Sequence, residues 1–96
     1  MIPDFHPAAR QELVAAAQTG DARFAGIGGE FLDEAERITQ LLCAAPLIGE
    51  PIDARYRRFP LRRFPFGLIY RVDGDRLRIV AVSHRRQRPG YWRGRE

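Results

Sequence analysis

Two hydrophobic periods divide the chain. Apolar residues fall at Ile27, Phe31, Ala35, Ile38, Leu42 and Ala45, the spacing that lines one side of an α-helix. Asp33, Glu34 and Arg37 lie on its polar side at pairing distance along a helix, and Glu30, Asp33, Glu34 and Glu36 are assigned to solvent. Pro46 and Gly49 stop it. Upstream, Pro7 suits the first turn of a helix, where its missing N–H costs nothing, and Ala9, Leu13 and Ala16 or Ala17 recur at helical spacing. Gly20 ends this helix, with a continuation to about Ala25 left open. The glycines at 26, 28 and 29 then join two antiparallel helices into a hairpin. Ahead of both, Met1 to Phe5 suits a short strand that Pro3 confines to a sheet edge.

From Arg55 the period becomes two. Arg55 to Leu61, Phe64 to Val72 and Arg76 to Ser83 read as strands, with Asp73-Gly74 as a hairpin turn between the last two. Alternation sends Phe66, Leu68, Tyr70 and Val72 to one face with Leu77, Ile79 and Ala81, against the helices. Phe59 and Leu61 join that face, and Phe64 belongs to the same core. Arg71, Arg76 and Arg78 go to the other face around Ile69, Val80 and Val82, with Arg58 beside them. The expected fold is α+β in the order βααβββ, with a helical hairpin on one face of a small antiparallel sheet and basic residues on the other. It fills residues 1–96 as a single domain.

Charge sharpens this picture. All 16 basic residues are arginine; residues 1–53 hold three of them against nine acids, and residues 54–96 hold thirteen against three. Aromatic residues, among them Tyr56, Tyr91 and Trp92, are interleaved with the basic half. Such a surface suits an anionic partner, either nucleic acid or an acidic protein segment. One cysteine and two histidines exclude a disulfide framework and any Cys/His metal cluster, and no cofactor or metal is expected. Cys43, in the run Leu41 to Ala45, reads as a structural thiol. The lack of an apolar span or signal-like start points to a cytoplasmic protein with no membrane partner.

Four segments in order carry a resemblance to a known family. They are FHPAARQEL (Phe5, Pro7, Ala9, Glu12, Leu13), GGEFLDEAER (Gly28 to Arg37), RRFPFGLIY (Arg62 to Tyr70) and HRRQRPGYW (His84 to Trp92). Together they resemble the RelE/ParE toxins of bacterial type II toxin-antitoxin modules. The resemblance implies a βααβββ fold, a growth-inhibiting activity and a cognate antitoxin with an acidic or amphipathic segment. Two mechanisms occur in that family. RelE-like members cleave mRNA on the ribosome by 2′-hydroxyl attack on the adjacent phosphate, which needs a proton acceptor, a proton donor and positive charge on the phosphorane. Arg58, Arg85 and Tyr91 align with those roles and His84 is a candidate base. Gly67, however, stands where the nucleases carry a basic residue, and arginine is a poor base. ParE-like members bind DNA gyrase and do no chemistry, which favours the binding mechanism for this chain. The implied target-binding residues are Arg71, Arg76, Arg78, Arg85, Arg86, Arg88, Tyr91 and Trp92. Trp92 reads equally as a surface anchor or as a lid folded over a thin core.

Overall fold

A computed structural model describes all 96 residues. Strand β1 (Ile2–Phe5) leads into α1 (Pro7–Arg23) and α2 (Ile27–Ala44), followed by β2 (Glu50–Pro51), β3 (Arg57–Pro60), β4 (Phe66–Asp73) and β5 (Arg76–His84). The sheet order is β1-β5-β4-β3-β2. This is the expected α+β order with one added strand. The two residues of β2 pair with β3 over Glu50↔Arg58 and Pro51↔Arg57, too short a run to leave a period in the sequence.

The sheet is mixed where an antiparallel one was expected: β1 runs parallel to β5, Ile2 opposite Arg76 and Phe5 opposite Ile79. The cause is the helical hairpin, which carries the chain across the sheet between β1 and the later strands, as a parallel connection requires. Pro3 sits on that edge strand, as a residue without an N–H must.

His6 caps α1, its Nδ1 accepting the Ala8 N–H at 3.0 Å, with Pro7 in the first turn. The helix runs past Gly20 to Arg23. Gly20 serves packing instead of termination, since a Cβ there would lie 2.9 Å from Ile27 Cγ2. Gly26 makes the turn at φ 92°, a conformation glycine adopts without penalty. Gly28 closes the hairpin tightly: a Cβ there would stand 2.5 Å from the Ala17 carbonyl oxygen, and its N–H donates to Asp21 at 2.7 Å.

The stripe of α2 buries Phe31, Ala35, Ile38 and Leu42. Phe31, Ile38 and Leu42 form the main core with Ala9 and Ala17 of α1 and with Leu61, Leu68, Tyr70, Leu77, Ile79 and Val82, and Phe59, Phe64 and Phe66 pack against it. Phe31 meets Phe64 and Phe66 edge-on, both at 5.2 Å. Cys43 is half-buried, and burial pushes its thiol above the usual range. Glu34 departs from its expected place in solvent. It is buried, 6% exposed, and accepts the Arg62 and Arg63 N–H groups of the β3–β4 loop. A turn with orphan donors needs an acceptor, and Glu34 supplies one carboxylate for two.

The β4–β5 hairpin turns through Gly74, φ 60°, with Asp73 opposite Arg76. Its register shifts once: Ile69 pairs with Ala81 and Tyr70 with Ile79, so Val80 is an extra residue. A bulge of this kind reverses the faces beyond it. Ala81, expected against the helices, therefore joins Ile69 and Val80 on the second face. Val82, expected outside, enters the main core. Val72 was also expected inside, yet it is exposed, because β3 pairing stops at Tyr70 and nothing flanks it there.

Candidate functional site

The second face of the sheet is covered. After β5 the chain from Arg85 to Glu96 folds through consecutive turns, closed by Gln87 N–H to His84 O, Tyr91 N–H to Arg88 O and Arg93 N–H to Gly90 O. Gly90 and Gly94 take positive φ, 76° and 94°. The segment lays Trp92, 4% exposed, on Ile69, Val80 and Ala81, with Tyr56 edge-on to it at 4.7 Å. Trp92 is thus the lid of a second small core. Alternation in β4 and β5 delivers Ile69 and Val80 to this face, and only an apolar side chain from elsewhere keeps them dry.

The expected basic face is correspondingly occupied. Arg71 is 6% exposed, donating through Nε to Asp73 at 2.8 Å and through Nη2 to the Glu96 main-chain oxygen. Arg78 donates to the same oxygen at 3.2 Å and pairs with Asp4 at 3.1 Å. These two guanidiniums, opposite one another in the register, hold the C-terminal segment down. Arg76 is exposed at the hairpin tip, away from the rest.

Glu12 of α1 pins the same segment from the other side. Its Oε1 accepts the Val82 N–H at 3.0 Å and Arg95 Nη1 at 2.9 Å; its Oε2 accepts the Tyr91 hydroxyl at 2.8 Å and Arg95 Nη2 at 3.1 Å. Arg95 Nη1 also donates to the Val80 carbonyl at 2.9 Å. The edge of β5 beyond β1 thereby finds side chains where a strand would otherwise pair. Hydrogen bonding to Glu12 raises the Arg95 pKa. Burial, then the bond to Glu12, pushes Tyr91 up to about 12, so its hydroxyl stays protonated near neutrality. Neither Glu12 nor Arg95 stood out in the sequence: Glu12 appeared only within the FHPAARQEL motif, and no local pattern joins residue 12 to residues 82, 91 and 95.

His84 ends β5. Its Nδ1 accepts the Arg86 N–H at 3.0 Å, and its ring meets Phe66 edge-on at 5.0 Å. With that lone pair engaged, a neutral imidazole carries its proton on Nε2 and presents a donor there. Arg58 crosses β4 at Gly67, where a Cβ would stand 2.5 Å from the guanidinium carbon, and donates to the Ser83 carbonyl at 3.4 Å. A residue with a side chain at 67 would displace Arg58.

Around these groups lie two open hollows of about 500 and 420 Å³ that share Arg58 and Arg85. The first runs along His84, Arg88, Trp92 and Arg93, the second along Arg62 and Arg63 of the β3–β4 loop. The Arg85 N–H, bonded to the Pro65 carbonyl at 2.9 Å, staples the two together. Arg85, Arg86 and Arg88 are exposed. Tyr91 faces the first hollow with its hydroxyl turned away to Glu12. A third hollow, about 440 Å³, lies between the hairpin and β5, with Ala15, Ala16, Ile27, Phe31 and Val82 in its wall. The structure therefore brings together Arg58, His84, Arg85, Arg88, Tyr91 and Trp92, and separates Arg71, Arg76 and Arg78 from them. No group of three or more His, Cys, Asp and Glu side chains converges at metal-binding distance, and no helix is long and apolar enough to cross a membrane.

The comparisons with known proteins agree with this architecture. Among solved structures, a chain of the chromosomal ParDE toxin-antitoxin system from P. aeruginosa superposes with a TM-score of 0.65 over 88% of this chain and 95% of its own, at 17% identity. That likeness establishes a shared fold. No curated protein matches. The sequence model of the family described as "ParE toxin of type II toxin-antitoxin system, parDE" matches residues 4–89, a span that runs from β1 through the turn after β5, and the chain belongs to that family of toxins.

Proposed function

We propose that this protein is the toxin of a type II toxin-antitoxin pair and arrests growth by binding DNA gyrase rather than by cutting RNA. The observation that carries the choice is the commitment of both proton-transfer candidates. His84 Nδ1 accepts the Arg86 N–H, and Tyr91, raised to about 12, donates to Glu12. An attack by a 2′-hydroxyl needs an acceptor for its proton. The guanidiniums lining the hollow are donors only, and Ser83 and Gln87 beside them are hydrogen-bonding groups without the basicity of a proton acceptor. A binding toxin needs only the basic surface. Its antitoxin partner is expected to be acidic or amphipathic, since it must meet the exposed arginines of residues 85–88, and the apolar hollow between the hairpin and β5 suits the greasy side of such a segment.

Two assays on purified protein test this reading: gyrase supercoiling, and cleavage of ribosome-bound mRNA. Supercoiling should be inhibited and mRNA left intact. In cells, Tyr91→Phe and His84→Gln should remain toxic, while the combined Arg85→Ala, Arg86→Ala, Arg88→Ala variant should not. Loss of toxicity from either conservative change, with circular dichroism unaltered, would favour the ribonuclease. General acid–base groups contribute about 10²-fold or more, so the two outcomes lie far apart.

A further inference from the structure

The two hollows that meet at Arg58 and Arg85 form one groove with Arg62 and Arg63 at one end and Arg88 and Arg93 at the other, and neither wall contains a carboxylate. Six arginines thus follow a single concavity. Arg63 is paired with Glu30 and Arg93 with Asp53. Arg62, Arg85 and Arg88 are exposed and stand outside every ion pair of the fold, and Arg58 is engaged only at 3.4 Å to a carbonyl. Four guanidiniums in a row are therefore free for an external anion, with the main chain of Arg58 fixed by β3, that of Arg62 by Glu34, that of Arg85 by the staple to Pro65 and that of Arg88 by the turn its carbonyl closes with the Tyr91 N–H.

The groove's aromatic residues decide which anion. Trp92 is 4% exposed and packs on Tyr56, Phe64 and Phe66 pack on Phe31, and Tyr91, part-buried in the wall, already has the Arg95 guanidinium over its ring at 5.1 Å and its hydroxyl on Glu12. Proteins that hold single strands stack bases on exposed aromatic faces, and acidic peptides are normally anchored by an apolar side chain in a pocket. This groove provides charge without a stacking platform, and only a minority of its residues are hydrophobic. Duplex DNA turns its phosphates outward and its bases inward, and so asks for charge alone.

We infer that the groove from Arg62 through Arg58 and Arg85 to Arg88 grips the phosphate backbone of duplex DNA without reading sequence, so that this protein engages gyrase together with its DNA. The inference rests on the gyrase reading for the source of the duplex only. Binding of a short fluorescein-labelled duplex, followed by anisotropy across a salt series, tests it. Four phosphate contacts give a log–log salt slope of about −3.6, which is an affinity loss of about 10²-fold between 50 and 200 mM salt. An Arg62→Gln, Arg85→Gln double variant should halve that slope. Both side chains are exposed and both structural bonds of those residues are made by the main chain, so the fold is kept. An Arg23→Gln, Arg37→Gln double variant has the same net charge, is altered only on the helices, and should keep the parent slope.

Equal slopes in the two double variants would overturn the inference. A supercoiling assay alongside keeps the two readings apart. Groove-dependent duplex binding with uninhibited gyrase fails the gyrase reading alone; inhibited gyrase with no groove-dependent slope fails this inference alone.

Discussion

Replacing Glu12 by alanine removes the acceptor of four hydrogen bonds at once: one from the Val82 N–H, one from the Tyr91 hydroxyl and two from Arg95. Both members of the ion pair have 20% of their side-chain surface exposed. Breaking a fully buried pair costs about 3–5 kcal/mol, and a buried N–H left without an acceptor about 1–3 kcal/mol. Water reaches part of this site, so the sum is discounted to about 3 kcal/mol. In a domain of this size each kcal/mol moves the midpoint by about 4–8 °C, which places the variant roughly 12–24 °C below its parent. Glu12→Gln keeps an oxygen for the Val82 N–H and loses the charge, and should fall about halfway between. The loss should also loosen the C-terminal segment, and Trp92 is the chain's one tryptophan, so its emission reports on that segment alone. Melting followed by far-UV circular dichroism should show the lowered midpoint, and Trp92 emission should shift to the red below it. A Glu12→Ala midpoint within about 3 °C of the parent, with unchanged emission, would show that these bonds hold nothing.

Phe31→Asp should abolish cooperative folding: Phe31 is 2% exposed between two aromatic rings, and an unpaired charge there costs about 4 kcal/mol or more, to be read from the loss of a thermal transition. Two glycine changes should differ in kind. Gly28→Ala drives a Cβ against the Ala17 carbonyl, a backbone atom, and should lower stability by about 1–3 kcal/mol, whereas Gly67→Ala meets only the end of the Arg58 side chain and should leave the melt nearly unchanged. Alkaline stability carries a signature of Tyr91. Its folded pKa of about 12 stands above the reference 10.0, so its contribution is complete below pH 10 and is lost as pH rises toward 12. Tyr91→Phe should flatten the midpoint against pH in that window, leaving the slope from Tyr70, which burial also raises. Low pH acts through His6, lowered from 6.5 by burial first and Arg78 next. Its contribution is present above pH 6.5 and falls away as pH drops through the lowered value, and His6→Asn, which keeps the cap, should remove that loss.

The sequence by itself determined whatever rests on local geometry. The α2 stripe was legible because 3.6 residues make a turn; the β4–β5 hairpin was legible because Gly74 can take a positive φ and the flanking residues alternate. Element order followed from those two periods, and the family from four short motifs. Tertiary structure alone decided what depends on a partner distant in the chain. The extra residue at Val80 has no signature in its neighbours, yet it exchanges the faces of Ala81 and Val82. Glu34 looked like one more acid on a helix surface until the β3–β4 loop presented two orphan N–H groups to it. Arg71 and Arg78 read as an open basic face, and became the anchors of a C-terminal segment because Ile69 and Val80 beneath it had to be covered. The candidate groove was half visible for the same reason. The arginines could be counted, but which stay free depends on where Glu30, Asp53 and the Glu96 oxygen come to rest, and that is settled only when the chain has packed.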